Sequence, residues 1–385
     1  MKKKVYRIFI TIAVLLTGFL LVLLITFMGK KTSGPIEDLF YKIRSGITSI
    51  EDHFILGKRE KTRSKSLKWF DYHRFDKSRI LSPDKLLLGA YDDKVSDTFQ
   101  PIVDLEDSIK TVFPIIHIYT AWGSKRDQQF PSGELNAIYS IGSLPMITWE
   151  PWLTDFDKDL MPGLPDKQFR DNEGLKAIAR GVYDSYINKW ASDAKSFNKL
   201  FFLRLAHEMN DPYRYPWGPQ NNQPEDFIAA WKYIVNRFKM IGADNVIWVW
   251  SPHPAYGRFE EYYPGREFVD WIGVGTLNYG TVAPWSKWWT FDEIFAKHYE
   301  VLAQYNKPII ISEFGSLAVG GDRSKWFEEA LKDFDVKYPS VKALIFFHCS
   351  SDATTTYQTL NWYLKDDQAV TKKIVNSIRN LNITF

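Results

Sequence analysis

A chain of 385 residues, 45% hydrophobic and 25% charged, has the make-up of a folded globular protein. Its net charge of +3 is small and the basic residues do not gather in the main body, which argues against nucleic acid as a partner. The single cysteine, Cys349, excludes an intrachain disulfide and reads as inert packing in an apolar strand.

Residues Ile8 to Met28 form a 21-residue run without a charge, preceded by Lys2, Lys3, Lys4 and Arg7. That length spans a bilayer as a helix. A cleaved signal peptide is the alternative, but Phe27-Met28-Gly29-Lys30-Lys31 offers no small-residue cleavage site. The expectation is an uncleaved anchor, with residues 1–30 as a cytoplasmic tip and transmembrane helix. Lys30, Lys31, Lys42 and Arg44 follow the span, so the positive-inside count is nearly tied. The leading basic cluster and the chemistry of the body place the body outside the cell membrane.

Ser33-Gly34-Pro35 opens a further helix, in which Ile36, Leu39, Phe40, Ile43, Ile47, Ile50 and Phe54 recur at helical spacing. This stripe suits a membrane surface, packing on the body, or self-association. Lys58 to Lys68 reads as a solvated basic linker. Residues 31–75 are therefore expected as a juxtamembrane amphipathic helix and linker, and 76–385 as the globular domain.

Eight apolar runs follow: Leu86–Tyr91, Ile115–Trp122, Leu144–Trp149, Leu200–His207, Val246–Ser251, Trp271–Leu277, Pro308–Glu313 and Val341–His348. Helical patterns lie between several of them, at Leu175–Ala194, Phe227–Ile241, Phe291–Tyr305 and Ser324–Tyr338. Apolar strands alternating with helices indicate a parallel sheet buried on both faces. Eight such units predict an α/β fold, a (β/α)8 TIM barrel, preceded by the N-terminal transmembrane helix.

The expected strand ends are rich in chemistry. The fourth run, Phe201-Phe-Leu-Arg204-Leu-Ala-His207-Glu208-Met-Asn210, is followed by Tyr215-Pro-Trp217-Gly218. The seventh is Pro308-Ile-Ile-Ile-Ser312-Glu313-Phe314-Gly315. Tyr119-Thr-Ala-Trp122, Trp149-Glu150-Pro151-Trp152, Trp250-Ser-Pro-His253, Asn278-Tyr279 and Phe347-His348 close other runs. Polar groups at the carboxyl ends of barrel strands are where this architecture places its sites. Two glutamates there, Glu208 and Glu313, are the minimum equipment for hydrolysing a glycosidic bond. One carboxyl protonates the leaving oxygen and the other attacks the anomeric carbon. The many Trp, Tyr and Phe residues suit either a large aromatic core or a cleft whose rings stack on sugars.

The segment from Arg204 to Asn210 with Tyr215-Pro-Trp217-Gly218 resembles the acid/base signature of glycoside hydrolase family 26. Asn278-Tyr279-Gly280 and Ile311-Ser312-Glu313-Phe314-Gly315 resemble the same family's sixth and seventh strand ends. The resemblance covers roughly residues 85 to 350 and implies a barrel and a retaining mechanism on β-linked glycans, chiefly mannans, with mixed-linkage glucans or xylans as further substrates. It implies Glu208 as acid/base and Glu313 as nucleophile, supported by His207 and Tyr279. Arg204, Asn210, Trp217, Trp149, Glu150, Trp122 and His348 complete the expected substrate-binding set. The chain departs from the family pattern at Asp211-Pro-Tyr-Arg214, where a Gly usually follows the Asn, and in ending strand eight with Phe-His.

The expected protein is a membrane-anchored endo-β-glycanase cutting β-1,4-mannan or β-1,3-1,4-glucan, with no cofactor and no metal. Its partners are the polysaccharide and, through residues 8–28, the lipid bilayer. Other readings remain. Arg204 could hold Glu313 ionised or form a structural ion pair with Glu208. His207, His253 and His348 could meet around a metal. His207-Glu208 lacks the second histidine of a zinc helix, and no G-x-S-x-G is present. A membrane-tethered glycan-binding barrel without activity would keep the tryptophans and need not keep both glutamates.

Overall fold

The computed structural model describes residues 12, 14–21, 57, 59–95, 98–282, 286–353 and 359–381. The chain divides into two compact units, Met1–Ile55 and Leu56–Phe385. In the first, residues 14–21 are helical, with Val14, Leu15, Leu16, Phe19, Leu20 and Leu21 all exposed. Among the described residues no helix is long and apolar enough to cross a membrane. Most of the expected span 8–28, and all of the 36–55 stripe, lie outside the described residues.

The second unit is a closed parallel barrel of eight strands in sequence order. The strands are β1 (Leu87–Asp92), β2 (Ile115–Ala121), β3 (Leu144–Glu150), β4 (Phe201–Leu205), β5 (Val246–Trp250), β6 (Trp271–Asn278), β7 (Ile309–Ser316) and β8 (Val341–His348). Each of the eight expected runs forms one of them. β3, β4, β5, β7 and β8 are almost wholly buried, as strands sealed by helices outside and side chains inside must be. Eight strands give an interior just wide enough for side chains to fill it.

Two expected helices are each broken in two. Leu175–Ala194 becomes Gly174–Ala179 and Asp184–Phe197, separated at Gly181, whose φ of +82° no helix accommodates. Ser324–Tyr338 becomes Arg323–Leu331 and Phe334–Lys337, with Asp333 left-handed between them.

Residues 59–80 pack across the amino-terminal end of the barrel. Trp271 Nε1 at the start of β6 donates to Ile80 O at 3.0 Å. Lys77 Nζ donates to Val246 O at the start of β5 at 2.7 Å. Within the basic run read from sequence as a solvated linker, Arg63 is 1% exposed. It pairs with Glu106 and donates to Ile141 O and Ser143 Oγ. A buried cation needs such partners, and a charge count cannot reveal them.

Candidate active site

Two local irregularities build the site at the carboxyl ends of the strands. The first is in β7. Opposite β6, the register passes from Val274–Ile311 to Gly275–Glu313, so Ser312 is an extra residue in the ladder. Regular strand residues alternate between faces; a bulge breaks that alternation. Ser312 and Glu313 therefore both reach the barrel interior. There they meet Arg204 of β4, whose Nη1 donates to Ser312 Oγ at 2.8 Å and whose Nη2 donates to Glu313 Oε1 at 2.6 Å. Arg204 Nε donates to Thr148 Oγ1 of β3 at 2.7 Å. Tyr119 of β2 places a second donor on Glu313 Oε1, at 2.7 Å.

The second irregularity ends β4. Ala206 and Glu208 both have positive φ, +42° and +54°. A non-glycine residue pays for that conformation, so the surrounding structure must enforce it. The Ala206 N–H is tied to Trp149 O at 3.0 Å and the Glu208 N–H to Ser251 O at 2.7 Å. The strand stops at Leu205, and this turn, rather than strand periodicity, brings the Glu208 carboxyl inward. Glu208 and Glu313 are 4% and 8% exposed. A β-carbon on Gly275 would lie 3.5 Å from Glu208 Oε1 and 3.5 Å from Glu313 Oε2. Those two oxygens are thus no further apart than twice that distance, and the gap between them is open because residue 275 has no side chain.

Residues 171–337 match the family model for Glycosyl hydrolase family 26, a stretch that holds both glutamates, Arg204 and Gly275. Endoglucanase H of Acetivibrio thermocellus is 35% identical over 243 residues, covering 61% of this chain and 25% of that protein. Over that stretch the chain is similar to glycoside hydrolase family 26. A mannan endo-1,4-beta-mannosidase of Bacillus subtilis is 22% identical over 226 residues, covering 54% of this chain and 56% of that one. The chain thus spans a quarter and about half of these two relatives. A family 26 beta-mannanase from Bacteroides ovatus shares the fold, with a TM-score of 0.57 at 16% identity, covering 80% of this chain and 92% of that one.

Burial and neighbouring charges act on Glu208 and several groups around it. Burial pushes the Glu208 carboxyl up to about 7; Arg214 pulls it down and Glu313 adds to the rise. Glu150, at the end of β3, is also raised to about 7, chiefly by burial, against a hydrogen bond from Trp152 Nε1 at 3.1 Å. His207 is driven well below its usual range, first by burial and then by Arg204. It is a neutral ring, its Nε2 3.0 Å from Tyr215 OH and its Nδ1 3.9 Å from Glu150 Oε1. Burial takes His253 down to about 3.

Of the residues expected at the site, the structure brings together Arg204, His207, Glu208, Glu150 and Glu313. Arg204 pairs with Glu313, and Arg214 is the cation beside Glu208. Tyr279 is half-buried, its ring edge-on to Trp362 at 5.1 Å. Other expected residues serve the scaffold. Trp149 and Trp122 are fully buried and pack on each other, with Trp149 stacked on Trp190 at 4.4 Å. Alternation explains this correction. Thr148 and Glu150 face inward on β3, so Trp149 faces the helices; Tyr119 faces inward on β2, so Thr120 and Trp122 face out. Asn210 spends its amide on backbone, donating to His253 O and Gly257 O and accepting from His253 N–H, which ties two loops together. Trp217 is 2% exposed, stacked on Tyr215 and donating to His207 O at 2.7 Å. His348 is enclosed between Asp92 and Tyr363, so the three histidines do not converge.

The sequence reading omitted Tyr119 and Arg214 from the site. Tyr119 had a signal: His117 and Tyr119 alternate with Ile116 and Ile118, which marks the inner face of β2. Arg214 was visible only as a departure from the family loop. Among the described residues, Glu208, Asp211 and His253 offer ligand atoms within 4.8 Å of one another, a spacing that could hold a cation. The Arg214 guanidinium, 3.4 Å from Glu208 Oε2 and 3.2 Å from Asp211 Oδ2, already supplies positive charge there.

Proposed function

We propose that the chain is a membrane-anchored, retaining endo-β-glycanase that hydrolyses β-linked polysaccharide, β-1,4-mannan or β-1,3-1,4-glucan, by double displacement. Glu313 is the nucleophile and Glu208 the acid/base. The observation that carries this reading is the pair of buried glutamates facing one gap over Gly275, under different electrostatic control. A carboxyl raised to about 7 holds a proton at neutral pH and can give it to a leaving oxygen. A carboxylate gripped at Oε1 by Arg204 and Tyr119 keeps Oε2 for the anomeric carbon. The limit on the separation of those two oxygens admits the roughly 5–5.5 Å of retaining enzymes. It also weighs against a binding protein that has no use for the pair. The uncharged run 8–28 supports a single-pass anchor, and the leading basic cluster with a glycan-cleaving body supports an external barrel.

Proton NMR during the first moments of hydrolysis tests the mechanism. The β-anomer should appear first, and an α-anomer appearing first would overturn retention. A panel of mannan, glucomannan, mixed-linkage glucan, cellulose and β-1,3-xylan identifies the substrate.

A further inference from the structure

Glu208 has an unusual neighbour. Arg214, six residues on, folds back so that its guanidinium contacts three groups. Nε lies 3.2 Å from Asp211 Oδ2, Nη1 lies 3.4 Å from Glu208 Oε2, and Nη2 lies 3.4 Å from His253 Nε2. The side chain is 19% exposed and Asp211 is fully buried. Asp211 is itself fixed, accepting the Tyr213 N–H at Oδ1 and donating its own N–H to Glu208 O.

We propose that Arg214 is a positioning residue for Glu208, clamping the acid/base carboxyl to the 211–214 turn and facing it with a fixed positive charge through both steps of the reaction. The proposal rests on the glycosidase reading of Glu208. In the first step the Glu208 proton moves to the glycosidic oxygen, the bond from that oxygen to the anomeric carbon breaks with its electron pair leaving on oxygen, and Glu313 Oε2 bonds to the carbon. Glu208 is then an anion beside Arg214. In the second step water attacks that carbon, the bond to Glu313 breaks, and the water proton passes to Glu208. Glu208 must therefore be a good acid and then a good base. A cation 3.4 Å away stabilises the ionised form between the two steps without making the shorter, stronger contact that would trap it there.

The groups facing Glu208 from every side make Arg214 the natural lever. Glu313 of β7 and Asp211 of its own loop oppose ionisation, while Arg204 of β4 favours it but is committed to Glu313. His253, from the loop after β5, is neutral, with its Nε2 3.9 Å from Glu208 Oε1. The Tyr215 and Tyr256 hydroxyls, near enough to feel Glu208, stay protonated.

The experiment compares the full chain with Arg214→Met and Arg214→Lys, with Arg214→Gln in reserve if the methionine variant does not fold. Two readouts are taken. One is the pH dependence of kcat/KM. The other is the titration of the Glu208 carboxyl by carbon-13 NMR, assigned by the resonance lost in Glu208→Gln. Removing an opposite charge at this distance moves a carboxyl upward by about one pH unit or more. Arg214→Met should move both the alkaline limb and the Glu208 resonance upward by that amount and lower kcat more than it raises KM. Arg214→Lys should keep both close to the parent. A merely structural arginine would lower activity at all pH values and leave the limb in place, which would overturn the proposal, as would equal shifts in the Met and Lys variants. A parent chain that turns over no glycan while its Glu208 titration still responds to Arg214→Met would sink the glycosidase reading and leave the clamp standing.

Discussion

Ser312 and Glu313 are adjacent in the chain, yet both face the guanidinium of Arg204, at 2.8 and 2.6 Å. Only the bulge in β7 permits this. The extra residue turns an ordinary strand end into a socket in which an arginine grips the neighbouring serine hydroxyl as well as the carboxylate. Rotation of the Glu313 side chain is thereby restricted, and one oxygen is left for the gap over Gly275.

The grip can be measured. Hydrogen bonds to charged groups contribute about 1.5–3 kcal/mol, so Tyr119→Phe, which leaves the ring and removes the donor to Glu313, should lower kcat by about ten- to a hundredfold with little change in thermal melting. Arg204→Met leaves a buried carboxylate without its partner and should cost about 3–5 kcal/mol of stability. A Tyr119→Phe enzyme with full activity would show that Tyr119 does not act on the nucleophile.

Removing each glutamate should separate their roles. Glu313→Ala should abolish turnover of every substrate. Glu208→Ala should lose roughly 10²–10⁴-fold on natural glycans, the usual worth of a positioned acid. It should lose far less on aryl glycosides with good leaving groups, where glycosylation needs no proton. Equal losses on both substrate classes would refute the assignment of Glu208.

The barrel was legible because its signal is carried by composition along each strand. Runs such as Ile309-Ile-Ile and Val246-Ile-Trp-Val-Trp250 have to be buried whatever surrounds them. The two glutamates were legible because they follow such runs. The facing of individual residues was not. Trp149 and Glu150 are neighbours in the sequence, but one lies among helices and the other at the mouth. Nothing local says which face of β3 is the inner one; that is decided by Thr148 meeting Arg204 from the next strand. Bulges and left-handed turns are also silent in the sequence, since Ser312, Ala206 and Glu208 adopt geometries that their residue types do not announce.

Trp149→Ala removes a ring enclosed by Trp122, Tyr186, Trp190 and Phe238 and should destabilise the barrel by about 3–5 kcal/mol. Trp152→Ala, at a half-buried ring that donates to Glu150, should raise KM while the melting temperature moves little. The reverse pattern in melting curves and kinetics would return Trp149 to the cleft.

The pH dependence of stability follows from Glu150 and Glu208. Both are raised from an ordinary 4.5 to about 7 in the folded chain. A group raised in the folded state is ionised more easily in the unfolded one, so rising pH favours unfolding. Their contribution is full below about 4.5, declines as pH climbs, and is lost once pH has passed through about 7. Melting temperature in the parent should therefore fall across that window more steeply than in Glu208→Gln, which removes one of the two titrations. Identical slopes in the two proteins would contradict the elevated value.

The open space over Gly275 gives the sharpest test of where the reaction takes place. An alanine β-carbon there would sit 3.5 Å from an oxygen of each glutamate, an ordinary contact distance, so Gly275→Ala should fold and melt like the parent. On the proposed mechanism the same methyl group would stand in the gap that the reacting carbon and the glycosidic oxygen enter. A displacement of about 1 Å in a reacting centre can cost about 10²-fold in rate. Gly275→Ala should therefore lose at least that factor in kcat/KM on glycans, with unchanged circular dichroism and melting temperature. A fully active Gly275→Ala enzyme would place the anomeric carbon elsewhere and would require a different partner for Glu313.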